Sequence, residues 1–481
     1  MEKIIKHSQI WVFAIIMTVT SCTGILDKEP IGILDASSFF KTEKDALQAI
    51  NAAYQPLMFN NANKNFYWAF GVLASDEAVV GGDGSRPGLT EIDFMTHTPR
   101  TEELNDFWKL QYKGINQCNT VLDRVPAIEM DAALKERILG EAHFLRAFYY
   151  FQLTQVFGDV PLYTQVTAPQ DLKIAKSPVS EIFKVIFEDC DYAAVYLPIS
   201  YGASQEGRAT RGAALALAAK TALYAKDYNT VLTYISKVKD LGIYSLMPDY
   251  QDNFRKNTQN NVESVWEIQH TNLELGVGNS LNQYWASKKI PNGYGFCEVT
   301  PEYVAQFENG DPRRKFTVAS NNEDYFGYIY KNSYSSTKFS PRKYLQADST
   351  TTQKADGDIN VTNIRYAEVL LWEAEALAEL GRLSEALEPL EQVRARARQQ
   401  ANDPSITLPK VESNNKLEVI DAIRHERSVE LGFEMHRFFD LVRWGIAESH
   451  IVGFQKNKNE VFPLPQVELD LNPKLSQNVN Y

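Results

Sequence analysis

The stretch Ala132–Phe157, AALKERILGEAHFLRAFYYFQLTQVF, is the part of the sequence that decides the fold. Apolar side chains recur in it every three or four residues, which is the period of one face of an α-helix. Gly158 follows at once, and glycine ends helices well because it adopts backbone conformations that other residues avoid. The sequence therefore predicts a long helix that stops at Gly158. The apolar positions of its face are Leu134, Ile138, Leu139, Ala142, Leu145, Tyr149 and Leu153.

Other segments show the same helical period. Apolar side chains recur at three- and four-residue spacing in residues 42–57 and 104–125, which predicts amphipathic helices. Residues 208–226 are rich in alanine, and a second helical run follows them and ends near Lys239. Because small residues let two helices approach closely, this part of the chain predicts a tight helical hairpin.

A second hairpin is predicted by residues 364–380 and 383–398, which Gly381 and Arg382 join. The length of each hairpin is near the period of a tetratricopeptide repeat. The full repeat signature is absent, and any tight helical hairpin would use similar small residues. We therefore expect a mainly α fold built on tetratricopeptide-like hairpins.

The periodicity fades between residues 241 and 363, where Gly, Asn, Ser and Pro are frequent. This composition predicts long loops with short strands, such as residues 264–269. Residues 284–344 hold 14 aromatic residues in 61, against 12% for the whole chain, so we expect this irregular region to pack or bind something. The mature chain then consists of a helical part, 22–240, and a carboxyl-terminal part, 241–481, in one compact unit.

The composition limits the possible functions. With 44% hydrophobic and 23% charged residues, the chain of 481 residues has the balance of a globular protein. Its net charge of -12 gives no attraction to nucleic-acid phosphates. The sequence contains no phosphate-binding glycine loop, nucleophile elbow or zinc-binding helix motif. Glycoside hydrolysis needs only two carboxylates, so that activity stays open in a chain with 61 acidic residues.

The first 21 residues predict a signal peptide. Lys3 and Lys6 precede an apolar stretch at residues 10–19, which is half of the roughly 20 residues that a membrane-spanning helix needs. The sequence VTSC at 19–22 resembles the lipobox of bacterial lipoproteins, in which the cysteine is acylated and becomes the mature amino terminus. We therefore expect a lipid on Cys22, and an ordinary secretory signal is the alternative.

The remaining cysteines are Cys118, Cys190 and Cys297, an odd number spread far apart. This spacing argues against both a disulfide framework and a cysteine-rich metal site. We interpret them as buried free thiols, since a single cysteine behaves as a small hydrophobic residue in a core. No metal site and no cofactor is predicted.

The aromatic region also supplies candidate ligand-binding residues. Tyr284, Trp285 and Tyr294 could form a platform for sugar rings, whose C–H faces pack on aromatic rings. Asp83 and Arg86 belong to a loop rich in glycine at residues 81–88 and could bind sugar hydroxyls. For each aromatic residue the alternative is a purely structural role, and for the two charged residues it is simple solvation.

Several motifs in this order resemble the SusD/RagB family of nutrient-binding outer-membrane lipoproteins. The resemblance runs along the whole mature chain, and its most specific parts are the long helix and the carboxyl terminus. The motifs are LDKEP at 26–30, ASDE at 74–77, EAHFLRAFYY at 141–150, FGDVPL at 157–162, RWG at 443–445, PLP at 463–465, NP at 472–473 and QN at 477–478.

The resemblance implies a helical fold of tetratricopeptide-like hairpins, display at the cell surface through the lipid, and partnership with a SusC-like TonB-dependent barrel in the outer membrane. It also identifies a carboxyl-terminal helix that carries Arg427, Glu430, Glu434 and Arg437. Their three- and four-residue spacing predicts ion pairs along one face of that helix. The leading hypothesis is glycan binding without catalysis; a surface glycoside hydrolase and a peptide- or protein-binding receptor of the same fold are the alternatives.

Overall fold

The computed structural model describes residues 40–481, so the predicted signal peptide and Cys22 lie outside the described residues. Helices dominate the described chain and form most of its core. In chain order, the helices are α1 (Glu43–Tyr54), α2 (Pro87–Asp93), α3 (Glu102–Arg124), α4 (Ala132–Phe157), α5 (Val179–Tyr196), α6 (Arg211–Tyr224), α7 (Tyr228–Asp240), α8 (Leu281–Tyr284), α9 (Pro301–Val304), α10 (Arg314–Thr317), α11 (Tyr366–Glu379), α12 (Leu383–Gln399), α13 (Lys416–Leu431), α14 (Arg437–Trp444), α15 (Ala447–His450) and α16 (Gln466–Leu471).

The long central helix α4 has the predicted boundaries. The Asp131 side chain accepts a hydrogen bond from the Leu134 backbone N–H at 2.8 Å and so caps the amino terminus. Gly158 ends the helix with a φ of 71°, a conformation that favours glycine. The helix is buried almost continuously from Ile138 onward because α3 and α5 pack against it. Several helices of the amino-terminal part therefore pack around the central helix α4.

Both predicted hairpins are present. Helix α6 pairs with α7, and α11 pairs with α12 and also packs against α7 and α13. The predicted helix of 364–380 begins two residues later, because Val361–Arg365 forms a strand instead. Val361, Thr362 and Ile364 are β-branched, which favours the extended conformation. The mainly α fold class is confirmed.

The strands are short and form two-stranded ladders, two of which connect segments that are far apart in sequence. Ladder β1–β3 is antiparallel with Val80 opposite Cys297, and β2–β8 is antiparallel with an irregular register. The first ladder joins the amino-terminal part to the irregular region, and the second pairs the two ends of the irregular region with each other. The strands are β1 (Ala78–Val80), β2 (Ser264–Ile268), β3 (Cys297–Val299), β4 (Val318–Ala319), β5 (Asp324–Tyr325), β6 (Tyr328–Ile329), β7 (Ser340–Pro341) and β8 (Val361–Arg365).

One large hydrophobic core contains side chains from both parts of the chain. Phe70 lies in this core on a π-helical turn at Ala69–Leu73, and Trp68 lies in it just before that turn. Both are in the same core as Tyr303 and Phe433. Cys118, Cys190 and Cys297 are buried and unbridged, as the sequence predicts. Within residues 40–481, none of the helices is both long enough and apolar enough to cross a bilayer.

The charged residues near the carboxyl terminus do not pair along one helix face. Helix α13 ends at Leu431, so Glu434 and Arg437 lie outside it. Glu434 instead binds Arg365, and Arg437 binds Asp76 at 2.7 Å. The predicted ion pairs between neighbours on one face are therefore wrong. The ionic partners of these residues come from distant segments of the sequence.

Glu430 and Glu434 belong to a buried ionic network in the carboxyl-terminal part. Its members are almost completely withdrawn from solvent, and each carboxylate has at least one cationic partner, so the charges compensate one another. This network clamps the irregular region to helices α12 and α13. The network consists of Glu263, Asp311, Arg313, Lys343, Arg365, Arg394, Arg396, Glu426, Glu430 and Glu434.

Candidate functional site

The candidate site lies where the ladder β1–β3 brings two distant loops together. β1 continues into the glycine-rich loop 81–86, which is shorter than the predicted loop 81–88 because Pro87 begins helix α2, and β3 is preceded by the loop 285–296. Because Val80 is opposite Cys297, Gly81 comes directly beside Phe296, and its backbone N–H donates to the Phe296 carbonyl at 3.4 Å. Segments about 200 residues apart in sequence thus form one surface.

Glycines permit this close approach. A Cβ atom on Gly81 would lie 2.3 Å from the Gly295 carbonyl oxygen, far inside van der Waals contact. Gly82 and Gly295 also have positive φ values of 83° and 62°. A larger residue at Gly81 would push the two loops apart, so the glycines of the predicted loop have a defined structural purpose.

The two loops and the turn at Asn61 enclose a cavity of about 540 Å³, which we call the tyrosine cavity. Four of the five predicted ligand-binding residues line it, so the structure brings them together. Four further polar or aromatic residues of the cavity were not predicted as ligand-binding residues, namely Asn61, Ser85, Lys288 and Phe296. The lining residues are Asn61, Asp83, Ser85, Arg86, Tyr284, Lys288, Gly293, Tyr294 and Phe296.

Two tyrosines form the aromatic wall of the tyrosine cavity. The rings of Tyr284 and Tyr294 are stacked with centroids 6.0 Å apart and planes 17° apart. Backbone hydrogen bonds hold them in this arrangement, from Tyr294 N to Gln283 O at 2.9 Å and from Phe296 N to Tyr284 O at 2.8 Å. Tyr294 is 41% exposed and Tyr284 only 8%, so Tyr294 presents the accessible ring and Tyr284 supports it.

Trp285 does not belong to this wall, and its prediction as a sugar platform is wrong. Its side chain has no exposed surface and packs against Trp68 and Phe433 with centroid distances of 6.2 Å and 6.0 Å. Consecutive residues of a helical turn point about 100° apart. Tyr284 therefore faces the cavity while Trp285 faces the core.

The charged residues of the tyrosine cavity are paired. Asp83 Oδ2 lies 2.6 Å from Lys288 Nζ, and this hydrogen-bonded lysine holds the pKa of Asp83 well below its usual range. The Arg86 guanidinium lies 5.2 Å above the Phe66 ring and 3.7 Å from a Glu103 carboxylate oxygen. These two charged side chains are therefore held in place, with part of each open to solvent, and are not merely solvated.

The hydrogen-bonding groups of the cavity are also ordered. The Tyr284 hydroxyl donates to Asn61 Oδ1 at 2.6 Å, which leaves the Asn61 amide N–H₂ without a partner among the described residues. The Ser85 backbone N–H donates to Asp83 Oδ1 at 3.1 Å. An exposed aromatic ring is thus surrounded by fixed donors and acceptors, an arrangement suited to a ligand with an apolar face and many hydroxyls.

Two family models match this sequence. One, described as the SusD family, matches residues 262–481, and one described as "Starch-binding associating with outer membrane" matches residues 42–223. A curated relative, SusD-like protein P38 of Formosa agariphila, is 28% identical, and the alignment covers 96% of each chain.

Solved structures share the whole fold. A SusD-like protein from Bacteroides fragilis superimposes with a TM-score of 0.82 at 23% identity, covering 94% of this chain and all of the other. A structure described as a laminarin-binding SusD-like protein superimposes with a TM-score of 0.79 at 27% identity, covering 92% of this chain and all of the other. The two family models, which together match most of the chain, and the curated relative show that the chain belongs to the SusD/RagB family.

Proposed function

We propose that this protein binds a glycan in the tyrosine cavity and does not cleave it. The observation that carries the proposal is the exposed ring of Tyr294, which Tyr284 supports from behind. The C–H face of a sugar ring would pack on Tyr294, which removes apolar surface from water. Donors and acceptors on Asn61, Asp83 and Arg86 would replace the water that the sugar hydroxyls lose.

The relatives support a glycan as the ligand. The laminarin-binding SusD-like protein shares the fold over its whole length, and the amino-terminal family model is described as starch-binding. The cavity of about 540 Å³ has the size of a small-ligand site, so a few sugar units would occupy it at a time.

The number of carboxylates in the tyrosine cavity argues against hydrolysis. A glycosidase needs two carboxyl groups on either side of the scissile bond, one of them protonated to act as the acid. Among the described residues that line the cavity, only Asp83 carries a carboxylate. Lys288 lowers the pKa of Asp83, so this group stays ionised and is a poor general acid. We therefore favour binding over catalysis.

Replacing Tyr294 by alanine is expected to weaken glycan binding about tenfold or more, because the stacking surface is lost. Affinity electrophoresis measures this effect in gels that contain laminarin or another plant, host or microbial polysaccharide. The wild-type protein is expected to be retarded by one class of polysaccharide and the Tyr294→Ala variant to run almost freely in the same gel. Tyr196→Ala is the matched control, since Tyr196 is 44% exposed on α5, outside the tyrosine cavity.

The outcomes separate the alternatives. Equal retardation of the wild type and Tyr294→Ala would support glycan binding but show that the binding site does not include Tyr294. Retardation of neither protein by any polysaccharide, with binding of peptides instead, would favour a peptide receptor. Release of sugar from the retained polysaccharide would show a hydrolase and contradict the proposal.

We further propose that a lipid on Cys22 attaches the protein to the outer membrane, outward-facing, where it delivers glycan to a SusC-like barrel. The support is the lipobox-like sequence at 19–22 and the family description "associating with outer membrane". In cells, Cys22→Ala is expected to release the protein from the membrane fraction. A barrel protein is expected to copurify with the wild type from outer membranes in mild detergent. A membrane-bound Cys22→Ala variant, or a wild type that always purifies alone, would contradict these two proposals respectively.

A further inference from the structure

A second cavity, of about 380 Å³, is lined in part by Leu57 and Met58, just before the turn that carries Asn61. The end of α1, the loop 203–208 and strand β2 form its walls, and we call it the amide cavity. Gly207 permits this closure, because a Cβ atom there would lie 2.0 Å from the Gln269 side chain. Its lining residues include Asn51, Tyr54, Met58, Gln205, Arg208 and Trp266.

Arg208 fixes two amide side chains of the amide cavity. Its guanidinium donates to Asn51 Oδ1 at 2.8 Å and to Gln205 Oε1. A guanidinium can only donate hydrogen bonds, so both amide oxygens must face it and both N–H₂ groups must point away. Among the described residues, neither N–H₂ group has an acceptor. Two oriented donors are therefore available to a ligand.

The floor of the amide cavity is apolar. The Tyr54 hydroxyl donates to Glu141 Oε2 at 2.9 Å, and the Trp266 indole N–H donates to the Gly207 carbonyl at 3.3 Å. The polar atoms of both rings are thus bonded to the protein, and Met58 adds further apolar surface. Like the tyrosine cavity, this cavity combines an apolar surface with fixed hydrogen-bonding groups.

The two cavities are close neighbours. Met58 lines the amide cavity and Asn61 lines the tyrosine cavity, and three residues of chain span at most about 11 Å. Two hydrogen bonds hold the intervening turn in place. The Asn63 side-chain N–H₂ donates to the Gln55 carbonyl at 2.6 Å, and the Asn63 backbone N–H donates to Asn60 Oδ1 at 2.8 Å. A short turn with a fixed conformation therefore separates the linings of the two cavities.

The charges of both cavities are compensated or negative. Asp83 pairs with Lys288 in the tyrosine cavity, and Arg208 pairs with the buried Glu141 at 2.8 Å beside the amide cavity. The exposed carboxylate of Glu206 lines the amide cavity and would repel an anion. This distribution favours a ligand without charge over an acidic or sulfated one.

We propose that the tyrosine cavity and the amide cavity are two parts of one groove, which holds a neutral polysaccharide chain across the turn at residues 58–61. This inference rests on the proposed function and deepens it, because it specifies an extended, uncharged ligand and assigns Asn51 and Gln205 to its recognition. Contacts in the second cavity add to those in the first once the chain is long enough to reach both.

Isothermal titration calorimetry tests the proposal with oligosaccharides prepared from the polysaccharide that retards the wild type, beginning with laminarin. The wild type is expected to bind an octasaccharide about tenfold more tightly than a trisaccharide. The double variant Asn51→Ala, Gln205→Ala is expected to lose this gain and to bind the trisaccharide as the wild type does. Tyr294→Ala is expected to weaken the binding of both lengths.

The matched control is the double variant Asn116→Ala, Gln170→Ala, which removes one exposed asparagine and one exposed glutamine elsewhere on the surface. It is expected to keep the full gain with length. Equal affinity of the wild type for both lengths, or an unchanged gain in Asn51→Ala, Gln205→Ala, would overturn the groove while leaving the proposed function in place. Tighter binding of an oligouronate of the same length would contradict the inference that the ligand is uncharged. No glycan binding by the wild type at all would instead refute the proposed function.

Discussion

Replacing Arg365 by methionine is expected to destabilise the folded protein by about 3–5 kcal/mol, because it leaves buried carboxylates without their partner. Arg365 is 1% exposed and is the centre of the ionic network. It donates to Glu434 Oε2 and Glu263 Oε1, both at 2.7 Å, and to the Glu430 carbonyl at 2.7 Å. Methionine would fill much of the space but bind none of these oxygens.

The pKa values of these carboxylates show how strongly the cations act on them. Burial by itself would raise the pKa of Glu430, but Arg396, Arg365 and Arg313 outweigh burial and lower it below its ordinary value. The pKa of Glu434 is also lowered, since Arg365 and Lys343 outweigh its burial. With Arg365 removed, the folded state would have to bury charge that is poorly compensated or take up protons at neutral pH.

Urea unfolding at neutral pH measures this loss as a lower midpoint with an unchanged slope. The matched control is Arg382→Met, because Arg382 forms an ion pair with Glu385 in which both side chains are about half exposed. Water and salt screen such surface pairs, so losing one changes the stability far less than losing Arg365. Similar small losses in the two variants would show that the buried network does not hold the carboxyl-terminal part together.

The helices could be predicted from the sequence because their signals are local. The apolar period predicts the extent of helix α4, and Gly158 predicts its carboxyl-terminal end. The two hairpins follow from the same rules. The partners in the ionic network could not be predicted in this way. Arg365 is 65 residues from Glu430 in sequence, and spacing along one helix carries no information about such distant contacts.

The site shows the same division between local and distant information. Aromatic density pointed to the segment that supplies one wall of the tyrosine cavity, and glycine content pointed to the loop that faces this segment across β1–β3. The density could not distinguish Tyr294 from Trp285, because irregular backbone has no period that assigns neighbouring side chains to the surface or the core. Lys288 and Asn61 carried no signal at all, since a lone lysine or asparagine in a loop is usually only solvated.

Replacing Glu77 by glutamine is expected to make the protein more stable at alkaline pH. Glu77 precedes β1 and is 1% exposed, and its Oε2 accepts a hydrogen bond from the Phe433 N–H at 3.1 Å. Burial raises the pKa of Glu77 from 4.5 to about 8, although the nearby Arg437 opposes this shift. The carboxyl group is therefore protonated in the folded protein at neutral pH and ionised in the unfolded chain.

The direction of the pH effect follows from this difference. Unfolding releases the Glu77 proton between pH 4.5 and 8, so its contribution to stability is complete below pH 4.5 and is lost as the pH rises towards 8. Glutamine can still accept the hydrogen bond from Phe433 but cannot ionise. The free energy of unfolding of Glu77→Gln, relative to the wild type, should therefore rise by about 3 kcal/mol between pH 5.5 and 8.5.

Urea unfolding of both proteins across this pH range tests the effect, since all other titrating groups cancel in the difference. Glu448→Gln, at an exposed position on α15, is the matched control and should differ from the wild type by a constant amount. A constant difference for Glu77→Gln as well would show that Glu77 is ionised in the folded protein. In that case the attraction of Arg437 would outweigh burial at the base of the ladder that carries the tyrosine cavity.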